Sequence, residues 1–354
     1  MMKIKGWHVT DTEWRNWLEA LLQDGKSLIA PVEQDNLRLF FPVASAAEIS
    51  LSNYLNTQWS PKEFLFPRSE PLVIYRFRGN ETELEDPELD GKEQVLFALR
   101  PCDVAGLARL DDMFLGEGAD PFYEHRRRQT TIVSLACDEA RAECFCTAVG
   151  GSPGGTEGSD IQMIPHAGAW LLRALTAKGE ELIAASATTW KPASAQDWKK
   201  AEEQRQAVEK SIERRALSKE WAPRLEESFS QPLWEKLGQR CLGCGICAYV
   251  CPSCSCFDMN DEGNASCGTR CRSWDSCAFS RFTRHASGHN PRASQPLRFR
   301  QRVLHKFSYF PMEHGERFMC VGCGRCLKLC PVGLDIHQSV QSAVSAGTTE
   351  EGQQ

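Results

Sequence analysis

Eight of the 17 cysteines in this 354-residue chain fall in two runs of one design. The first is Cys241-Leu-Gly-Cys244-Gly-Ile-Cys247-Ala-Tyr-Val-Cys251-Pro252, and the second is Cys320-Val-Gly-Cys323-Gly-Arg-Cys326-Leu-Lys-Leu-Cys330-Pro331. Three thiolates on one tight loop can reach three irons of an iron–sulfur cube. Gly243, Gly245, Gly322 and Gly324 let the backbone wrap closely around it. Amides turned inward can then hydrogen-bond the sulfurs and help to set the potential. The proline after each fourth cysteine disfavours a helical conformation for it, so the chain exits there. Zinc sites pair short C-x2-C knuckles, a pattern that two four-cysteine runs each ending in Cys-Pro do not reproduce.

Each run fits the C-x2-C-x2-C-x3-C-P pattern of bacterial two-cluster ferredoxins, in which the fourth cysteine ligates the other cluster. The expected iron ligands of one [4Fe–4S] cluster are Cys241, Cys244, Cys247 and Cys330. Those of the other are Cys320, Cys323, Cys326 and Cys251. Such an interlock fixes two clusters side by side, an arrangement suited to electron relay. Four further cysteines lie in the first half of the chain. Cys102 follows the apolar run 95–99 and Cys137 follows 131–135, so both sit just past the carboxyl ends of expected strands, where α/β sheets place their sites. If those strands are neighbours, Cys102, Cys137 and the Cys144-Phe-Cys146 hook converge with the ligand count of a third [4Fe–4S] cluster. The competing reading is four buried thiols acting as small hydrophobes. Cys254, Cys256, Cys267, Cys271 and Cys277, between the two runs, match no metal spacing and stay unassigned.

The elements that must position these thiols follow from periodicity. Trp14, Trp17, Leu18, Leu21 and Leu22 predict a helix over Asp11–Gln23, capped by Asp11 or Thr12 and stopped by Gly25. Apolar runs at Leu37–Val43, 72–77, Gln94–Leu99 and 131–135 predict strands, and 104–115 predicts a helix. The glycine-rich segment 150–160 is followed by a strand-like run, 161–164, and not by a helix, so it reads as a loop and not a phosphate cradle. Together these give an α/β N-terminal domain over 1–190. A charged helical linker follows over 191–232, with Glu202, Arg205 and Glu209, and Lys210 with Glu213, at pairing distance along a helix. Residues 233–345 read as an α+β two-cluster ferredoxin-like domain with a long insert, and 346–354 as a disordered tail. Arg281, Arg284, Arg292, Arg298, Arg300, Arg302 and Lys306 make the insert basic, which predicts a solvated surface or a docking face for an acidic partner.

Composition narrows the function. A formal net charge of −6 shows no bias toward nucleic acid. No stretch is long and apolar enough to span a bilayer and the first residues lack a signal-peptide core, so a cytoplasmic location with reduced thiols is expected. Neither a nucleophile arrangement nor a histidine metal pair stands out, which argues against a substrate site on this chain.

The chain resembles the beta subunits of soluble, cytoplasmic nickel–iron hydrogenases, or sulfhydrogenases, and is similar to the iron–sulfur subunits of anaerobic sulfite reductases. The resemblance rests on Ser60-Pro-Lys-Glu-Phe-Leu-Phe-Pro67, Cys102-Asp103 with Gly106-Leu107, Cys144-Phe-Cys146, Cys251-Pro-Ser-Cys254-Ser-Cys256, Trp274-Asp-Ser-Cys277, Gly288-His-Asn290 and the Cys320 run. It implies an electron-transfer subunit between a flavin subunit that handles NAD(P)H and a catalytic subunit bearing nickel–iron or sirohaem. It also implies roles for Cys102, Cys137, Cys144 and Cys146, and none for Cys267 or Cys271. A self-contained iron–sulfur reductase with a substrate beside Cys102 and Cys137 is the other functional class.

Overall fold

The computed structural model describes residues 6–89, 91–214, 216–218, 220–315 and 317–350, the last four by backbone alone. Its strands are β1 (Gly6–Val9), β2 (Ser27–Gln34), β3 (Leu37–Val43), β4 (Ser69–Arg78), β5 (Glu81–Glu85) and β6 (Gln94–Leu99). They continue with β7 (Thr130–Leu135), β8 (Ile161–His166), β9 (Ala169–Ala174), β10 (Lys191–Pro192), β11 (Phe257–Gly263) and β12 (Cys267–Trp274). The helices are α1 (Asp11–Gln23), α2 (Pro101–Phe114), α3 (Pro121–Gln129), α4 (Ala177–Ala187), α5 (Ala195–Lys210) and α6 (Trp221–Glu227). After these come α7 (Leu233–Gly238), α8 (Ile246–Tyr249), α9 (Gln295–Leu304), α10 (Phe310–Glu313), α11 (Arg325–Lys328) and α12 (Ile336–Glu350).

The chain divides into two compact units. One comprises Met1–Pro61, Gly91–Ala216 and Val321–Gly324, and the other Lys62–Asp90, Leu217–Cys320 and Arg325–Gln354. The first is an α/β unit around a sheet of order β10-β1-β9-β8-β7-β6-β2-β3. Its centre, β2-β6-β7-β8, is parallel, and the flanking pairs are antiparallel. Burial explains the composition: β7 is buried throughout and β6 is buried after its first residue, as the middle of a parallel sheet requires. Helix α1 lays Trp14, Trp17, Leu18 and Leu21 on this core, with the Trp14 and Phe97 rings stacked at 5.4 Å. Its cap is Thr10, not Asp11 or Thr12. The Thr10 hydroxyl accepts from the Glu13 amide and Glu13 answers to the Thr10 amide, while Asp11 accepts from the Trp14 and Trp170 indoles instead.

Helix α5 packs on β8 and buries Ala201 and Val208, while Arg205, held between Glu202 and Glu209, donates to the Ser152 hydroxyl of the glycine-rich loop at 3.2 Å. The glycine-rich loop before β8 leads into that strand, as its sequence predicts.

The second unit has its own sheet, β11-β12-β4-β5, antiparallel throughout. The strand predicted over 72–77 forms as part of β4 but pairs here, with β5 and β12, and not in the first sheet. Most of this sheet faces water, and a buried Arg272–Glu70 ion pair ties β12 to β4. The rest of the unit is helices and turns around the first cysteine run and the two ends of the second, whose middle, Val321–Gly324, belongs to the first unit. Helix α12 continues to Glu350, and the remainder of the predicted tail, residues 351–354, lies outside the described residues. Among the described residues no helix is long and apolar enough to cross a membrane.

Candidate iron–sulfur sites

In the first unit, β6 and β7 are parallel neighbours, which brings their carboxyl ends together. Register shifts between Phe97 and Leu99, where Ala98 sits buried at φ +61°. A bulge with a left-handed alanine re-aims the chain at the cost of local strain, and here it does so just before Arg100, Pro101 and Cys102. Pro101 opens α2, so Cys102 stands in that helix's first turn, whose positive end favours an anionic thiolate.

Cys102, Cys137, Cys144 and Cys146 line one cavity together with Arg100, Asn56 and Cys323. Burial pushes the Cys137 thiol up to about 11 and the Cys146 thiol up to about 12. Arg100, only 2% exposed, donates to the carbonyls of Leu55 at 2.8 Å and Ala136 at 2.7 Å, and its charge opposes the rise at Cys137.

The hook is held from behind by the second cysteine run. The Phe145 amide donates to the Gly322 carbonyl at 2.9 Å. Gly322 and Gly324 have φ of +65° and +76°, and a Cβ on Gly322 would stand 2.4 Å from the Phe145 carbonyl. Asn56 adds a hydrogen bond to the Cys323 carbonyl at 3.3 Å.

In the second unit, Cys241, Cys244, Cys247 and Cys330 line a single cavity with Cys326, Gln295, Arg298 and Arg302. Gln295 donates an amide hydrogen to Cys241 Sγ at 3.1 Å, and the Leu334 amide donates to Cys330 Sγ at 3.3 Å. These are the donors that tune thiolate-bound clusters. Arg302 is buried within electrostatic reach of Cys247, Cys326, Cys254 and Cys251, and its Nε has no hydrogen-bond partner among the described residues. The negative charge and acceptor capacity of an iron–sulfur core answer such a donor, so the residues fit the group. Among the described residues no three His, Cys, Asp or Glu side chains converge as a single ion requires.

Cys251 meets Lys306, whose Nζ lies 3.5 Å from its sulfur and 3.1 Å from the Ser253 hydroxyl. A hydrogen bond from Cys254 and then the Lys306 charge hold the Cys251 thiol well below its ordinary value, against the effect of burial. Although burial opposes its charge, Lys306 is held protonated by Cys251, Cys254 and Cys320.

The basic stretch is therefore only partly surface. Arg281 and Arg284 are exposed, whereas Arg298, Arg302 and Lys306 are buried. Their four-residue spacing, interleaved with Phe299, Val303 and Phe307, was the signal that they share a helical face. Cys267 and Cys271 lie on β12.

Two comparisons bear on identity. Residues 240–334 match the 4Fe-4S dicluster domain family. The chain is also similar to the sulfhydrogenase 2 subunit beta of Pyrococcus furiosus, with 34% identity over 333 residues covering 92% of this chain and 94% of that one. With cubane-spaced thiols in both runs and similarity along nearly its whole length, the chain belongs to the family of iron–sulfur beta subunits of sulfhydrogenases.

Proposed function

We propose that this electron-transfer subunit passes electrons between a flavin subunit that handles NAD(P)H and a nickel–iron catalytic subunit in the cytoplasm. The proposed ligand sets are Cys241, Cys244, Cys247 and Cys330; Cys320, Cys323, Cys326 and Cys251; and Cys102, Cys137, Cys144 and Cys146. When bound, [4Fe–4S] clusters supply one-electron transfer. The chain's own residues do the rest: Gln295, the Leu334 amide, Arg302 and Lys306 offset negative charge and orient sulfur, and the apolar surroundings limit water.

The observation that carries the reading is a contrast in exposure. Cys244 is exposed and its neighbour Leu242 is 67% exposed, whereas Cys251, Cys320 and Cys323 are buried. One set opens to a partner and the other lies inside, as a relay needs. The relative's printed name supports a hydrogenase as the partner.

Anaerobic pull-down of the tagged chain from its native host tests this. Nickel with a flavoprotein in the complex is the expected result. A sirohaem band without nickel would instead make the partner a sulfite reductase, and turnover of NAD(P)H or sulfite by the isolated chain would remove the relay reading. Separately, Cys144→Ser with Cys146→Ser should lower the iron content by about four per chain. An unchanged count would sink the N-terminal set.

A further inference from the structure

Three of the cysteines that match no spacing rule meet inside the second unit. Cys256 immediately precedes β11 and Cys277 follows β12 by three residues. The hairpin pairs Phe257 with Trp274, and the Asp275 amide donates to the Cys256 carbonyl at 2.9 Å. That closure sets the Cys256 and Cys277 thiols in hydrogen-bonding contact. Cys254 lies within electrostatic reach of both and touches Cys251. Cys254 is buried, and Cys256 and Cys277 are half-buried.

The charge around them is one-sided. Lys62 is 3% exposed, donates to the carbonyls of Ala248 at 3.0 Å and Cys254 at 2.9 Å, and lies 4.1 Å over the Trp274 ring. Lys306 is 2% exposed and meets the Ser253 hydroxyl and the Cys251 sulfur. Carbonyls, a hydroxyl and a ring carry no full charge, and buried ammonium groups need one nearby. Cys251 already answers Lys306, whereas a disulfide between Cys256 and Cys277 would leave Cys254 and the buried Lys62 amine without a countercharge.

We propose that Cys254, Cys256 and Cys277 hold an iron–sulfur cluster of their own, with Lys62 and Lys306 offsetting its negative charge. Three thiolates serve a three-iron core or a cube with one corner not bound by cysteine. Cys251 remains with the second ferredoxin set. The inference rests on the reading that the cysteine runs bind iron–sulfur clusters, and it adds a relay station supplied by the insert.

The test uses the full chain purified anaerobically, with iron and acid-labile sulfide counted per chain. Cys256→Ser and Cys277→Ser should each lose about three or four irons. Cys267→Ser, at an exposed position on β12, should lose none. Cys244→Ser serves as the reference for the first run. If it lowers the count while Cys256→Ser and Cys277→Ser do not, the proposal falls and the relay reading stands; if none of the three lowers it, both fall. Alkylation of the wild-type chain decides the matter where a variant does not fold. Iodoacetamide should spare Cys254, Cys256 and Cys277 until the iron is chelated and label them afterwards. Labelling before chelation, or a Cys256–Cys277 disulfide in the mass spectrum of the anaerobic protein, overturns the proposal.

Discussion

The two cysteine runs share their spacing and their left-handed glycines, yet they rest on different things. In the first, a Cβ on Gly245 would stand 2.5 Å from the Phe279 ring, and one on Gly243 would stand 3.0 Å from the Gln295 side chain. In the second, Gly322 and Gly324 press against backbone, that of Phe145 and Glu143. The first run carries exposed Cys244 as well as buried Cys251, whereas in the second Cys320 and Cys323 are buried and Cys326 and Cys330 half-buried. One motif thus fixes which groups reach iron, while its neighbours decide how rigid and how wet each site is.

The largest expected effect separates the supports. Gly322→Ala must move backbone as well as adopt an unfavourable φ, and should cost about 3 kcal/mol or more. Gly245→Ala, where a ring can turn aside, should cost about 1–2 kcal/mol. Thermal melts of both variants with iron counts check this, and equal losses would break the comparison.

Exposure predicts the next effect. During mild oxidation in air, Cys244 should become alkylatable well before Cys323, followed by timed labelling and mass spectrometry. Simultaneous labelling would show that the two runs fail as one.

The smallest effect concerns potential. Lys306→Met removes a buried charge beside Cys251 and should make the reduction potential of one cluster more negative by tens of millivolts. Gln295→Leu removes one neutral hydrogen bond to Cys241 and should shift the other by less. Redox titration followed by electron paramagnetic resonance resolves the two.

Much of this was legible in the sequence because it is local. The boundaries of α1, β3 and β6 follow from periodicity, and the glycine positions of both runs follow from the spacing alone. What was not legible depends on distant partners. The apolar pattern of 72–77 specifies a strand but not its neighbour, and β12, nearly two hundred residues later, claims it. Lys62 and Lys306 reach the same group of thiols from widely separated segments, and Lys306 sits in the π-helical turn His305–Tyr309, which no propensity rule foretells. Thr10 takes the cap from Asp11 because two indoles occupy the aspartate.

The short loop Val321–Gly324 belongs by its packing to the α/β unit, although it is encoded more than a hundred residues after the rest of that unit ends at Ala216. A nascent chain emerging from the ribosome therefore completes its α/β sheet long before it has made the residues that brace the Cys144–Cys146 hook. N-terminal segments ordinarily fold first during synthesis. Here the earliest unit to be translated is closed only after most of the second has been made, and the bracing of its thiol pocket waits for the synthesis of Gly324.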